Sequence, residues 1–403
     1  MHSVDSRYAW WRLAASVALS TFGAVGMWGV VVIFPNLQTE FAATRADVSF
    51  SYTTTMLGFG AGSILLGRLI DARGAFVTML LATALIAGGY ALAALAPNLW
   101  VFAAIQGVLI GTGSAATFIP LVADTSHWFA KRRALAMAIC ASGNYLGGAL
   151  WPKLTEVLAR HYDWRTTYLV VAVICLVGML PACLVLRPRS PAHAGGAAAV
   201  APHSAQSLGL TPNSLQMWLG IAGIGCCVAM SMPQVHIVAY CVDLGYGTAR
   251  GAEMLSIMTV FGIASRLGSG WIADRVGGLK TLLLGSTAQA VALLGYLVSD
   301  GLVGLYLVSA LFGLFQGGII PSYGVIVREY FPPREAGARM GIAISLTIIG
   351  MAGGGWMGGA LFDLTGSYRA AFINGIAWNV LNGAIVWWLL TRQNRRMPMG
   401  AIA

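Results

Sequence analysis

Twelve apolar stretches, each about 20 residues long, constrain the fold of this chain more than any other feature. A helix rises about 1.5 Å per residue, so a stretch of that length crosses the ~30 Å hydrocarbon core of a bilayer. The stretches lie near residues 13–34, 48–70, 76–96, 99–123, 133–157, 166–186, 215–240, 251–272, 280–299, 302–327, 337–362 and 370–390. They predict an all-α integral membrane protein with twelve transmembrane helices in two pseudo-symmetric six-helix bundles.

The composition fits a membrane protein, because 58% of residues are hydrophobic and only 9% are charged. An ordinary soluble domain carries roughly a quarter charged residues. The first stretch has no small-residue cleavage site after it and is predicted to be a retained span. All six cysteines fall within predicted spans without a C-x-x-C pair, so packed or lipid-facing thiols are expected. Neither a metal nor a cofactor is expected.

The distribution of Lys and Arg predicts the orientation, since cytoplasmic segments carry an excess of these residues. With both termini in the cytoplasm, the inner segments hold most of the basic residues. The outer segments hold only Arg45, Arg160, Arg165, Arg250 and Arg369. This spread explains the net charge of +10 without a phosphate-binding patch, so no nucleic-acid partner is expected.

The chain is predicted to consist of two related halves. Residues 187–214 are rich in Pro, Ala, Gly and Ser and are predicted to form a disordered cytoplasmic linker. It separates an N-terminal bundle over 1–186 from a C-terminal bundle over 215–403. "GRLIDARG" at 67–74 recurs as "GWIADRVG" at 270–277, and "DWRTTYLV" at 163–170 recurs as "SYRAAFIN" at 367–374. Parallel repeats of this kind are typical of transporters that rock about a midplane site.

The repeated motif resembles the G-x-L-x-D-R-x-G loop after helix 2 of major facilitator superfamily transporters. The second copy matches at Gly270, Asp274, Arg275 and Gly277, whereas the first has Ala72 in place of the usual Arg and Arg73 one position later. The resemblance implies a gating role, in which Asp71 interacts with charges and a helix end and steadies the outward-open state. The gating residues implied are Gly67, Asp71, Arg73, Gly74, Gly270, Asp274, Arg275 and Gly277.

A narrower resemblance covers most of the chain. "FPNLQTEFAATRADVSFSYTTTMLGFGAG" at 34–62, "HWFAKRRALAMAICASGNYLGGAL" at 127–150 and "VHIVAYCVDLG" at 235–245 are similar to bacterial members of the monocarboxylate and oxalate/formate transporter group. The resemblance implies a functional monomer among the lipids of the bacterial inner membrane, with both termini cytoplasmic. It also implies a small carboxylate as substrate, with a proton or a counter-anion as a further partner.

Arg266 is a permanent cation inside the eighth predicted span, about 12 Å from its cytoplasmic end. A charge there costs at least ~2.5 kcal/mol and nearly always faces a bundle interior or a water cavity. The small residues Gly262, Ser265, Ser269 and Gly270 predict space and hydrogen-bonding groups beside it.

Two interpretations of Arg266 compete, a structural ion pair with a carboxylate and a binding site for an anionic substrate. The acidic residues Asp124, Glu156 and Glu329 all fall near predicted helix ends, which favours the anion site. A guanidinium also binds a carboxylate through two parallel hydrogen bonds. The resemblance implies the same role, because members of the group carry an arginine at the matching place in helix 8 that binds the carboxylate.

Three departures from the group bear on the substrate and its coupling. Mammalian proton-coupled carriers have Asp where this chain has Gly262, and Lys where it has Asn36. The oxalate/formate exchanger has a second cation in helix 11, and this chain has none there. One central cation suits one carboxylate better than two, and the missing Asp and Lys favour exchange or uniport at least as readily as proton symport.

Other polar residues are predicted to contribute to substrate binding, with helix packing as the alternative. His236 also titrates near neutrality and is the candidate for proton coupling. Lys153 is expected to reach the interface or to pair with Glu156. The further substrate-binding candidates are Asn144, Tyr145, Gln316, Gln234 and His236.

These features predict a secondary active or facilitative transporter of a small monocarboxylate that works by rocker-switch alternating access. An enzyme is not expected, because no H-E-x-x-H motif, paired intramembrane Asp or Cys/His group occurs. The alternatives are a proton-coupled symporter or exchanger of another small organic anion, including dicarboxylates, and a carboxylate sensor that does not transport. Counterflow of labelled substrate separates a transporter from a sensor.

Overall fold

The computed structural model describes residues 4–188 and 205–396, and the long elements in these ranges are helical. Twelve long segments follow one another and confirm the predicted all-α fold. They are α1 (Arg7–Phe41), α2 (Arg45–Arg73), α3 (Ala75–Ala93), α4 (Leu99–Thr125), α5 (Arg133–His161), α6 (Trp164–Val185), α7 (Pro212–Asp243), α8 (Gly247–Val276), α9 (Gly278–Val298), α10 (Leu302–Tyr330), α11 (Pro333–Thr365) and α12 (Tyr368–Arg396).

Eleven of these segments are long and apolar enough to cross a membrane by length and composition. The exception among the described residues is α5, which has ample length at 29 residues. Its sequence includes Asn144, Lys153 and Glu156, and these polar residues lower its hydropathy. The chain is therefore a multi-pass membrane protein.

Besides the turn at Gly317–Gly318 within α10, two segments contain breaks that the hydropathy pattern did not predict. In α1 a regular helix ends at Gly23, a 3₁₀ stretch covers Val30–Ile33, and a last helix begins at Phe34 with a proline in its first turn. In α4 the residues Gln106–Gly111 form a π-helix. Both breaks leave the segment continuous across the predicted span.

Close helix packing relies on glycines. A Cβ added to Gly58 of α2 would lie 1.9 Å from the carbonyl oxygen of Gly107 in α4, and one added to Gly111 would lie 2.4 Å from the carbonyl oxygen of Thr55. In α11, Gly354 and Gly359 meet neighbouring helices equally closely. Glycines of the runs at 111–113 and 353–359 therefore serve close helix packing at these positions.

The described residues fall into two compact units. One unit holds those of Met1–Gly195, Gln234–Val260 and Gly355–Ser367, and the other those of Gly196–Pro233, Phe261–Gly354 and Tyr368–Ala403. The first unit thus contains the six segments from α1 through α6. It also contains one end each of α7, α8 and α11, the ends that are on the outer side in the predicted topology.

The division into bundles over 1–186 and 215–403 stays a prediction. Most of the predicted linker, residues 189–204, lies outside the described residues. Within its described part, Ala205–Leu208 forms a 3₁₀ helix with two buried side chains, and α7 begins at Pro212. All six cysteines are free and buried.

Candidate functional site

Arg266 lies inside α8, ten residues before the last residue of that helix, Val276. The helical rise places it about 15 Å from this end of α8, which is cytoplasmic in the predicted topology. Its side chain is half-buried, and its backbone carbonyl accepts a hydrogen bond of 3.1 Å from Ser269 Oγ. The cation is therefore held within the span, as its place in the sequence predicted.

The small neighbours of Arg266 pack α8 against the turn within α10. Ser265 Oγ accepts a hydrogen bond of 3.1 Å from the Gly318 amide, and a Cβ added to Gly317 would lie 2.4 Å from the Gly262 carbonyl oxygen. Gly262 therefore serves helix contact, whereas Ser265 and Ser269 also line a cavity of about 310 Å³ among α8, α9 and α10. That this space serves a substrate bound to Arg266 stays a prediction. The same contact places Gly317 and Gly318, which follow the buried Gln316, beside the turn of α8 that precedes Arg266.

The carboxylates weighed as partners of Arg266 lie near helix ends, as predicted, and bind other groups. Asp124 of α4 forms a buried ion pair with Arg12, with 2.7 Å between Oδ2 and Nη2. Glu329 of α10 accepts two hydrogen bonds of 3.1 Å from the Gly278 amide at the start of α9. Glu156 lies 3.9 Å from Lys153 Nζ and 3.8 Å from Arg160 Nε.

Asn144 and Tyr145 lie on α5, which packs closely against α1. A Cβ added to Gly143 would lie 2.7 Å from Ser20 Cβ, and one added to Gly147 would lie 2.5 Å from Ala24 Cβ. The side chains of Asn144 and Tyr145 are both buried, and the Tyr145 ring centroid is 6.5 Å from that of Trp28. The glycines therefore bring these two polar groups beside α1.

Trp28 is a polar side chain that the sequence analysis missed. It ends the short helix Val25–Trp28, immediately before the 3₁₀ stretch of α1, and is 4% exposed. Within the part of the chain that the structure describes, its indole N–H has no hydrogen-bond partner. A buried indole donor normally has one. The available signal was a tryptophan flanked by glycines in an otherwise aliphatic span.

Thr259 of α8 lies next to this cluster. A Cβ added to Gly148 would lie 2.6 Å from Thr259 Cγ2 and 2.9 Å from Trp28 Cε2. Thr259 precedes Arg266 by seven residues, which is close to two helical turns, so the two side chains leave α8 on the same face.

The two outer candidates connect helices. Gln234 and His236 of α7 are both buried, and His236 Nε2 lies 2.8 Å from the carbonyl oxygen of Gly355 in α11. A Cβ added to Gly355 would lie 2.7 Å from the ring of Tyr52 in α2. His236 thus joins α7 to α11 in this structure, and its part in proton coupling stays a prediction.

Both copies of the repeated motif form the same tight connection between helices. Gly74 has φ 86° between α2 and α3, and Gly277 has φ 85° between α8 and α9, a region that favours glycine. Asp71, Arg73, Asp274 and Arg275 are all exposed. The Arg275 guanidinium lies 3.5 Å from the ring centroid of Trp271. The gating role of these residues stays a prediction.

Metal coordination needs several clustered ligands. Within residues 4–188 and 205–396, no group of three or more His, Cys, Asp or Glu side chains could hold a metal ion.

Comparison with known proteins places this geometry in a family. The sequence profile of the Major Facilitator Superfamily matches residues 17–307 and 280–399. The chain is 29% identical to monocarboxylate transporter 13 of Bos taurus over 376 residues, covering 92% of this chain and 86% of that protein. It is 26% identical to the MFS-type transporter YcxA of Bacillus subtilis over 343 residues, covering 82% and 83% of the two chains.

A solved structure with the same fold is that of a bacterial homologue of the human lysosomal transporter Spinster, in an inward-facing and unoccupied conformation. It superposes with a TM-score of 0.71 at 14% identity and covers 98% of this chain and 100% of that one. The profile, the relatives and the fold agree. The chain therefore belongs to the Major Facilitator Superfamily of membrane transporters.

Proposed function

We propose that this transporter carries a small monocarboxylate anion across the bacterial inner membrane by rocker-switch alternating access, with both termini in the cytoplasm. The observation that carries the proposal is Arg266, a half-buried cation well inside a transmembrane helix. Such a charge is retained where it has a function. Two related proteins, from Bos taurus at 29% identity and from Rattus norvegicus at 27% identity, are named monocarboxylate transporters, which supports this substrate class.

The chemistry of the substrate follows from that of the guanidinium. Arg266 would bind one carboxylate through two hydrogen bonds and stay charged when water is excluded. We further propose that Asn144, Tyr145 and Trp28 donate hydrogen bonds to the remaining oxygens of the substrate. Gln316, Gln234 and His236 stay candidates of the same kind. Because Gly262 and Asn36 replace the coupling Asp and Lys, exchange or uniport is proposed at least as readily as proton symport.

The test uses purified protein reconstituted in vesicles, with counterflow of radiolabelled acetate, lactate, pyruvate and oxalate. We expect counterflow of at least one monocarboxylate and little of oxalate. Arg266→Lys keeps the charge but loses the paired geometry, so affinity should fall roughly tenfold, and Arg266→Gln should lower it about a hundredfold. Arg266→Gln removes a charge from the span and so lowers the insertion cost, and Arg266→Lys keeps the charge of the parent protein, so both variants should fold.

Arg369→Gln is the matched control, because Arg369 is exposed and donates to the Leu297 carbonyl outside the proposed site. It should transport like the parent protein. A folded Arg266→Gln protein with unchanged affinity for every acid carried would refute the role of Arg266. Binding without counterflow would indicate the sensor.

A pH-sensitive dye in the same vesicles tests proton coupling. We expect no proton movement driven by the substrate. Proton movement that is abolished by His236→Ala would establish symport.

A further inference from the structure

One lysine links the outer ends of α5 and α8 and is shared between two carboxylates. Lys153 Nζ of α5 lies 2.7 Å from Glu253 Oε1 of α8 and 3.9 Å from Glu156 Oε2 of its own helix. The other oxygen of Glu253 accepts a hydrogen bond of 2.9 Å from Arg250. Lys153 therefore binds mainly to Glu253 of α8, and its ion pair with Glu156 is the longer of the two.

Glu156 is unusually placed for a carboxylate. Its side chain is 2% exposed, and Oε2 has no hydrogen-bond partner among the residues that the structure describes. The other oxygen lies 3.8 Å from Arg160 Nε, and the Arg160 side chain is 60% exposed. A buried ionised carboxylate normally receives several hydrogen bonds, because its charge is costly without them.

Glu156 lines a cavity of about 470 Å³ within the first unit. Glu40, Asp163, Asn36 and Arg160 also line it. A cavity of this size holds many water molecules, since each occupies roughly 30 Å³ in the liquid. In the predicted topology it lies at the outer surface, so Glu156 has a route to the outer solution.

The other two carboxylates of this cavity accept hydrogen bonds from neighbouring groups. Glu40 Oε1 accepts a hydrogen bond of 2.7 Å from Arg165 Nη2, and its other oxygen accepts one from the indole of Trp164. Asp163 caps the start of α6, and hydrogen bonds from Thr166 lower the pKa of its carboxyl. Glu156 is thus the buried carboxylate of this cavity, and its Oε2 has no hydrogen-bond partner among the described residues.

We propose that Glu156 is a proton-binding site supplied from the outer solution, and that its protonation controls the link between Lys153 and Glu253. A proton bound at Oε2 removes the buried negative charge and leaves Lys153 to Glu253 alone. Loss of that proton draws Lys153 toward Glu156 and favours entry of water, which weakens the link to α8.

Acid outside should therefore favour the arrangement of this structure, in which Lys153 links α5 to α8 through Glu253. The proton returns to the side from which it came, so the site does not require proton symport. The charged groups that face Glu156 directly or through Lys153 are Lys153, Arg160, Glu253, Arg250, Glu40 and Asp163.

The test measures the distance between spin labels at two exposed outer positions, Tyr162→Cys and Leu364→Cys, in lipid nanodiscs without substrate. The six native cysteines are buried, so the labels attach to the introduced ones. The ratio of short to long distances should rise about fivefold from pH 8.5 to pH 5.5, the factor expected for a partly exposed ion pair of ~1 kcal/mol. Glu156→Gln, which mimics the protonated acid, should show the short distance at both pH values.

Two variants make the test specific. Lys153→Gln should show the long distance at both pH values, so it and Glu156→Gln shift the ratio in opposite directions, which a general folding defect would not produce. Glu40→Gln, from the same cavity, should keep the pH response. The proposal is wrong if Glu156→Gln keeps the response, if the parent protein has none, or if Glu40→Gln also loses it. Because no substrate is present, failure here leaves the proposed substrate site untouched.

Discussion

At the scale of the residue, the buried indole of Trp28 differs in its hydrogen bonding from the packing groups around it. The indole N–H of Trp28 has no acceptor within the described ranges and lies beside Tyr145. Most buried donors in a folded protein have a partner, because an unsatisfied one costs about 1–3 kcal/mol. A donor kept in that state is suited to a ligand that supplies the acceptor.

We expect Trp28→Phe to weaken binding of the carried monocarboxylate roughly threefold to tenfold, the loss that corresponds to one hydrogen bond. The stability of the protein without substrate should be unchanged, since the variant removes an unsatisfied donor and keeps an aromatic ring. Substrate-dependent thermal shifts measure both quantities.

Trp128→Phe is the control for that prediction. Trp128 is also buried with no hydrogen-bond partner for its indole N–H among the described residues, but it packs on Arg12 at the cytoplasmic end. This variant should bind substrate normally. Equal loss of affinity in both variants would show that Trp28 acts through packing.

At the scale of the element, close approach of helix backbones holds the first unit together. Gly58 of α2 touches the backbone of Gly107 in α4, so a methyl group there must push the two helices apart. Overpacking of this kind typically costs 1–3 kcal/mol. We expect Gly58→Ala to lower the thermal unfolding midpoint measured by size-exclusion chromatography after heating.

Gly88→Ala in α3 provides the matched comparison, because a Cβ added at Gly88 meets no atom within 4 Å. Alanine favours helix over glycine, so this variant should be as stable as the parent or more so. If both variants lost stability equally, the loss of glycine itself would be the cause, and the tight contact between α2 and α4 would not explain the effect.

At the scale of the whole molecule, the topology rests on the asymmetry of basic residues and can be tested directly. We expect Val200→Cys, in the segment between the two sets of spans, to react with a membrane-impermeant maleimide only from the cytoplasmic side. Leu364→Cys, which is 83% exposed at the end of α11, should react only from outside. Labelling of residue 200 from outside would overturn the predicted orientation.

The sequence by itself determined the class of protein, the number of long helices and their approximate ends. Apolar runs and charge bias are local properties, and the bilayer turns them directly into spans because every backbone polar group must be satisfied within the helix. The cation within α8 and the glycine-mediated packing could be predicted for the same reason.

Only the tertiary structure decided which side chains meet. The sequence analysis expected Lys153 to reach the interface or to pair with Glu156. That pair is present at 3.9 Å, but Lys153 lies closer, at 2.7 Å, to Glu253, one hundred residues away. It did not predict that Gly262 packs closely against Gly317 of α10, or that Trp28 lies beside Tyr145. Such contacts depend on how helices rotate and cross, and this is set by packing between elements distant in the chain, which hydropathy does not encode.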